Sequence, residues 1–130
     1  MDEAGRFVWN ELMTPDVEGA KAFYGRLFGW EGQTTPMPGP DGVEYTGFML
    51  GGTPAGGALA PPEPGIPPHW MPYVRVEDAD AAEAAAVEAG GQVCRSAFDV
   101  PQVGRIAVLQ DPAGAVFAVI APAPELLAGG

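Results

Sequence analysis

The sequence is poor in the residues that most often carry chemistry. Cys94 is its one cysteine, so an internal disulfide and a cysteine zinc site are both excluded. His69 is its one histidine. Lys and Arg number 6 against 17 Asp and Glu, which gives a net charge of −11. Because such a chain repels phosphates, we expect neither nucleic acid nor an anionic membrane as a partner.

Targeting and membrane patterns are also missing. The opening MDEAGR lacks the basic and apolar regions of a signal peptide. No apolar run approaches the roughly 18 residues of a membrane helix. With 47% hydrophobic and 18% charged residues, the sequence is typical of a globular protein. We therefore expect a soluble cytoplasmic protein whose 130 residues form a single domain, 1–130, with a buried core.

What the sequence does contain is an internal repeat. A strand, a turn and a helix are predicted first in FVWNELMTPDVEGAKAFYGRLFGW and again in WMPYVRVEDADAAEAAAVEAGG, where Asp78 lies 62 residues after Asp16. The later segments GVEYTGFML and GRIAVLQDP match at the same offset of 62. Matched segments at a near-constant offset indicate a duplication. The repeat modules span residues 7–60 and 70–121, and a proline-rich connector occupies 61–69.

Each module is predicted to have the order β-α-β-β-β. Asp16 and Asp78 are predicted to cap the two helices, and glycines to end them. The apolar stripe of the first helix, which includes Phe23 and Leu27, is interpreted as core packing against a sheet. The predicted strands are Phe7–Met13, Glu31–Thr35, Val43–Leu50, Ala55–Ala60, Met71–Val76, Gln92–Ala97, Arg105–Gln110 and Val116–Ala121, and the second helix is Ala79–Ala89.

With its TPD…AKAFYGRLFGW and DPAGAVFAVI segments, this duplicated unit resembles the glyoxalase, bleomycin-resistance and extradiol-dioxygenase superfamily, also called vicinal oxygen chelate proteins. The resemblance runs from Phe7 to Pro122. It implies an α+β fold in which two βαβββ modules form curled mixed sheets, often completed across a homodimer. It does not by itself imply one chemistry.

Metal-dependent members of this superfamily carry ligands on the first and last strands of each module. Carried over to this sequence, those places hold Trp9, Met71, Gly57 and Ala118. None of these side chains is a usual ligand for a hard or borderline divalent cation. The resemblance therefore implies a member without the usual metal ligands, and we expect no metal and no cofactor. His69, two residues before Met71, is interpreted either as a loop residue or as a functional one.

If the places implied by the resemblance lie on the sheet face that the helices leave open, strand alternation adds Glu11, Tyr73 and Arg75 to that face. The small residues Gly57 and Ala118 would leave space there for a ligand. The candidate pocket residues are thus Trp9, Glu11, Gly57, Met71, Tyr73, Arg75 and Ala118. Apolar walls with a few polar groups are typical of a small-molecule pocket. Glu11 and Arg75 are interpreted as a structural ion pair, or Glu11 as a ligand-orienting or proton-transferring carboxylate. We expect at least one of the loops Thr34–Gly42 and Ala97–Gly104 to border the pocket mouth.

Three functions remain open. The first is a metal-free protein that binds a small apolar or aromatic metabolite or a drug. The second is an enzyme of the same superfamily, a lyase, isomerase or dioxygenase, which is metal-free through Glu11 and Tyr73 or has a displaced metal site. The third is a module whose open sheet face meets another protein. A homodimer is expected, because an apolar open face is costly to leave in water. A dimer that encloses a cavity would count against the third function.

Overall fold

The protein has an α+β fold made of two successive βαβββ modules, as predicted. A computed structural model describes residues 3–36 and 43–129. The first module consists of β1 (Phe7–Met13), α1 (Val17–Phe28), β2 (Glu31–Pro36), β3 (Glu44–Leu50) and β4 (Thr53–Leu59). The second consists of β5 (His69–Arg75), α2 (Ala79–Glu88), β6 (Gln92–Val100), β7 (Gly104–Gln110) and β8 (Val116–Pro122), followed by a short helix, α3 (Pro124–Gly129).

The chain forms two compact units whose boundary falls inside β1 and β5. Of the described residues, the first unit comprises 10–36 and 43–71, and the second comprises 3–9 and 72–129. None of the described helices has both the length and the apolar character needed to cross a membrane.

The first unit is built on a mixed sheet with the strand order β2-β3-β4-β1. β1 runs parallel to β4, with Glu11 opposite Gly57, while β2, β3 and β4 pair antiparallel. Its core is the cluster of Leu12, Phe48 and Ala58, against which Tyr24 of α1 packs. The helix therefore covers one face of this sheet.

The second unit repeats this plan with the strand order β5-β8-β7-β6. β5 runs parallel to β8, with Tyr73 opposite Ala118. Its core contains Val119 and the β7 residues Ala107 and Leu109, and alanines of α2 pack against it. The N-terminal segment is attached to β5, since the Arg75 amide donates to the Arg6 carbonyl at 3.0 Å.

Both long helices begin at the predicted aspartates. The Asp16 carboxylate accepts a hydrogen bond from the Gly19 amide at 2.9 Å, and the Asp78 carboxylate accepts one from the Ala81 amide at 3.0 Å. Each bond satisfies one of the amides that a helix start leaves unpaired. α1 ends at Gly29, whose φ of 79° lies in the left-handed region that glycine adopts without strain.

The apolar stripe of α1 is more exposed than its periodicity predicts. Phe23 is 59% exposed, Leu27 58% and Phe28 51%. Only Ala20 and Tyr24 of the stripe pack against the core, and they remain partly buried. The interpretation of the whole stripe as core packing is therefore wrong, because a two-layer unit covers only the side of the helix that faces the sheet.

Three parts of the structure differ from the predicted elements. β6 continues to Val100, so most of the predicted loop Ala97–Gly104 is strand, and the turn is confined to the residues after it. The short helix α3 lies in a tail for which no element was predicted. Of the loop Thr34–Gly42, the first three residues belong to β2, and residues 37–42 lie outside the described part of the chain.

Candidate ligand site

Glu11 is a buried carboxylate in the middle of β1, with 7% of its surface exposed. Its neighbour Leu12 packs in the cluster under α1. Because successive strand residues point to opposite faces, Glu11 lies on the sheet face away from α1. Charged residues are seldom buried without a hydrogen-bonding group close by. The Tyr45 hydroxyl meets this requirement, since it donates to Glu11 Oε2 at 3.2 Å.

Gly57 makes room for this contact. It lies opposite Glu11 in the parallel pairing of β1 and β4. A Cβ atom at Gly57 would overlap the hydroxyl and the ring of Tyr45. The space beside Gly57 was expected to hold a ligand, whereas the Tyr45 ring occupies it. The missing side chain therefore allows a tyrosine to reach across the strand to the carboxylate.

Tyr45 is the site residue that the sequence analysis missed. On β3 the buried Thr46 and Phe48 point to the α1 side, and Phe48 belongs to the core there. Alternation then puts Tyr45 and Gly47 on the face of Glu11. The signal was available, because EYTGFML places one tyrosine and one glycine on that parity. Only the pairing of β3 with β4, in which Gly47 lies opposite Gly57, shows that this tyrosine lies near Glu11.

The second unit has an equivalent pair on the equivalent strands. Tyr73 on β5 is 6% exposed and lies opposite Ala118, which is fully buried. The next residue on β8, Val119, packs in the core under α2. Tyr73 and Ala118 therefore lie on the sheet face away from α2, as Glu11 and Gly57 do in the first unit.

The other predicted pocket residues are divided between the units. Met71 is 3% exposed and belongs to the first unit, whereas Trp9 and Arg75 belong to the second. Arg75 lies opposite Ile120 in the pairing of β5 and β8. The pairing of Glu11 with Arg75 stays a prediction, as does a pocket that uses all seven residues.

His69 is the first residue of β5 rather than a loop residue. Its Nδ1 lies 2.8 Å from the Pro67 carbonyl oxygen. For this contact to be a hydrogen bond, Nδ1 must carry the proton and Nε2 is the basic nitrogen in the neutral ring.

The residues at the superfamily's metal places do not fit a metal ion. Trp9, Gly57, Met71 and Ala118 supply no nitrogen or carboxylate ligand, and Tyr45 fills the space at Gly57. Within residues 3–36 and 43–129, no group of three or more His, Cys, Asp or Glu side chains is arranged to hold a metal ion.

A separate cleft of about 540 Å³ lies at the start of α1, on the helix side of the first sheet. Thr34, Glu44 and Thr46 contribute to its walls together with the first residues of the helix. The Thr34 and Thr46 hydroxyls are 2.7 Å apart and share a hydrogen bond. The described end of the loop Thr34–Gly42 therefore borders a cavity, although not on the face of Glu11.

The clearest electrostatic feature lies on the surface of the second unit. Arg105 Nε donates to the Asp80 carboxylate at 2.8 Å, and Arg105 Nη1 lies 3.2 Å from Asp99. The hydrogen bond from the Arg105 guanidinium lowers the pKa of Asp80, and the two carboxylates raise the pKa of Arg105. All three side chains are substantially exposed, so this network belongs to the surface and not to the candidate site.

Comparisons with known proteins agree on one family. A family model described as a glyoxalase-like domain matches residues 8–120. "Putative glyoxylase CFP32" of Mycobacterium tuberculosis is 43% identical over 125 residues, which cover 96% of this chain and 47% of that protein. "Anthracycline biosynthesis protein DnrV" of Streptomyces peucetius is 37% identical over 129 residues, covering 88% and 46%. The chain thus spans about half the length of these relatives.

A solved structure shares the fold at lower identity. The crystal structure of methylmalonyl-CoA epimerase from Mycobacterium tuberculosis aligns with a TM-score of 0.65 and 18% identity, over 96% of this chain and 93% of that one. At this identity the likeness extends to the arrangement of helices and strands and not to the chemistry.

Proposed function

The chain belongs to the glyoxalase-like domain family, and from that premise we propose that it binds a small, largely apolar or aromatic metabolite or drug. The site is the sheet face that carries Glu11, and binding uses no metal ion at the superfamily's ligand places. The observation that carries this proposal is the buried Glu11 carboxylate with the Tyr45 hydroxyl beside it at 3.2 Å. A few polar groups among apolar walls are what orients a ligand in a pocket.

The names of the relatives suggest the ligand class. One relative is named for anthracycline biosynthesis, and anthracyclines are planar polycyclic ketones. On the face of Glu11 the Tyr45 ring lies over Gly57 and offers a planar aromatic surface next to the carboxylate. A flat ring system suits such a surface, and a ligand hydroxyl or keto group would meet Glu11 or the Tyr45 hydroxyl. A planar aromatic ligand with oxygen substituents is therefore the first to test.

The test is calorimetric titration of a neutral anthracycline aglycone into the full chain. Glu11→Gln keeps the size of the side chain and removes its charge, so we expect the same fold and affinity about tenfold or more lower, as for a lost charge-assisted hydrogen bond. Tyr45→Phe is expected to weaken binding less, because the carboxylate remains.

Glu31→Gln is the matched control. Glu31 is an exposed glutamate on β2 of the same unit, and its substitution should change neither affinity nor melting temperature. If Glu11→Gln lowers the melting temperature and leaves affinity unchanged, the carboxylate is structural and the proposal fails.

The proposed independence of a metal has its own measurement. Protein purified without added metal should contain well under one equivalent of zinc, iron, manganese or nickel by elemental analysis. This expectation rests on Trp9, Gly57, Met71 and Ala118 at the superfamily's ligand places. About one equivalent per chain would contradict it and favour an enzyme with a displaced metal site.

A metal-free isomerase or epimerase is a second candidate, favoured by the same buried carboxylate. Glu11 could take a proton from the carbon next to a carbonyl group and return it to a neighbouring position, with a tyrosine hydroxyl hydrogen-bonded to the carbonyl oxygen. With a 2-oxoaldehyde–thiol adduct, this transfer gives a 2-hydroxy thioester: the former carbonyl carbon and its oxygen each gain a proton, while the neighbouring carbon and its hydroxyl each lose one. In deuterated water, deuterium then appears at the former carbonyl carbon. Incorporation that is abolished in Glu11→Gln would support this candidate over simple binding.

A further inference from the structure

A second cleft in the first unit, of about 460 Å³, has no part in the function proposed above. It lies on the α1 side of the sheet, which is the face opposite to Glu11. Its volume lies within the range of ligand sites, roughly 300–1,000 Å³. Four of its six lining residues are aromatic and none is charged: Asn10, Tyr24, Phe28, Trp30, Ala55 and Trp70.

The aromatic rings of this cleft form a corner. Tyr24 lies nearly parallel to Phe28, with 16° between the planes, and to Trp30, with 26°. Trp70 stands almost upright against them, at 78° to Tyr24 and 80° to Trp30. Its indole N–H donates to the Tyr24 hydroxyl at 3.1 Å, which holds the upright ring in place. The corner is therefore formed before any ligand arrives.

Much of this aromatic surface is exposed to water. Phe28 is 51% exposed and Trp70 is 37% exposed, so the rings cover one another only partly. A flat ring stacked on one wall meets the other wall edge-on, and both arrangements are favourable between aromatic groups. The shape of the cleft thus suits a planar aromatic ligand better than a globular aliphatic one.

The charge of the surroundings favours a cation. The faces of Trp and Tyr rings are electron-rich and attract positive charge. The chain carries a net charge of −11, which repels anions and attracts cations at long range. α1 carries two basic residues. Lys21 lies on the same helix face as Tyr24, and its ammonium group pairs with the Glu18 carboxylate at 2.8 Å. Arg26 lies two residues from both Tyr24 and Phe28, which turns it to roughly the opposite side of the helix.

Asn10 contributes the only amide side chain among the residues that line this cleft. On β1 it has the same parity as the buried Leu12, so it faces the α1 side of the sheet. It is exposed and lines the cleft. An uncharged amide there can accept or donate a hydrogen bond at the ligand's edge without opposing its charge.

We propose that this cleft is a second binding site, which takes a flat aromatic cation stacked in the corner between Trp70 and the Tyr24–Trp30 rings. The proposal stands independently of the site at Glu11, because the two lie on opposite faces of the sheet and share no residue.

The test titrates 10-methylacridinium into the full chain by calorimetry, with anthracene-9-carboxylate as a flat anion of similar size. We expect the cation to bind at least about tenfold more tightly than the anion. Trp70→Leu keeps an apolar side chain but removes the upright ring, and should weaken cation binding about tenfold. Leu27→Ala removes a more exposed apolar residue of α1 that does not line the cleft, and should leave the affinity unchanged.

Three results would overturn the proposal: equal affinity for cation and anion, unchanged affinity in Trp70→Leu, or loss of cation binding in Glu11→Gln. Amide shifts in the unaltered protein provide a check that does not depend on the folding of a variant. Titration of the cation should shift the amide resonances of Gly29, which stands between the lining residues Phe28 and Trp30, and of Gly56, where a Cβ atom would lie 3.8 Å from the Trp70 ring. Shifts confined to other regions would place the cation elsewhere and refute the site.

Discussion

Glu11 and Tyr45 meet because two strands of one sheet present them on the same face, and because Gly57 leaves the space between them free. The two residues are 34 positions apart in sequence, and the pairing of β1 with β4 and of β4 with β3 brings them together. At the scale of single residues, the candidate site thus depends on a glycine as much as on a carboxylate.

Gly57→Ala tests that dependence. The new methyl group would overlap the Tyr45 hydroxyl and ring, so we expect a loss of about 1–3 kcal/mol in the free energy of unfolding, measured by urea denaturation. Combining it with Tyr45→Phe removes the hydroxyl and should recover part of the loss.

Gly47→Ala is the matched control for this substitution. Gly47 lies opposite Gly57, yet a Cβ atom there would meet nothing within 4 Å. Its substitution should change stability little. If both alanine variants lose the same stability, the effect comes from the strand backbone and not from the contact with Tyr45.

At the scale of elements, the two modules repeat their helix starts as well as their strand order. Asp16 and Asp78 each accept a hydrogen bond from the amide three residues later, at 2.9 and 3.0 Å. These caps are local, since the acceptor and the donor are separated by one helical turn. They were predictable from sequence for that reason.

Asp16→Ala should lower the free energy of unfolding by about 1 kcal/mol, the usual cost of a lost N-cap. Asp16→Ser retains an oxygen acceptor and should recover most of it. Urea denaturation of both variants checks the expectation. Equal losses in the two would indicate that the charge of Asp16 matters and not its hydrogen bond.

At the scale of the whole molecule, the predicted homodimer is still to be tested. Large apolar side chains such as Phe23 and Leu27 are more than half exposed in the single chain, and apolar surface left in water favours association. Two-fold dimers are the commonest closed assembly. Each copy carries a charge of −11, so the copies repel each other at low ionic strength.

Light scattering at micromolar concentration and physiological salt should therefore give twice the 13.4 kDa of one chain. Lowering the salt should shift the equilibrium toward the monomer, because screening of the like charges is lost. A mass of one chain under both conditions would contradict the prediction.

Local patterns in the sequence determined a large part of this protein. The βαβββ order, the two aspartate caps and the glycine that ends α1 follow from neighbours within a few residues, whose geometry is set by backbone sterics and short hydrogen bonds. Alternation along β1 also put Glu11 and Leu12 on opposite faces before any pairing was known.

Only the tertiary structure decided which of those faces meet and which remain open. The pairing register brought Tyr45 to Glu11 across 34 residues, and no local pattern records a register. The periodicity of α1 identified an apolar stripe, but only the size of the covering sheet left Phe23, Leu27 and Phe28 in water. Burial depends on what lies opposite a side chain, and a sequence states only what lies beside it.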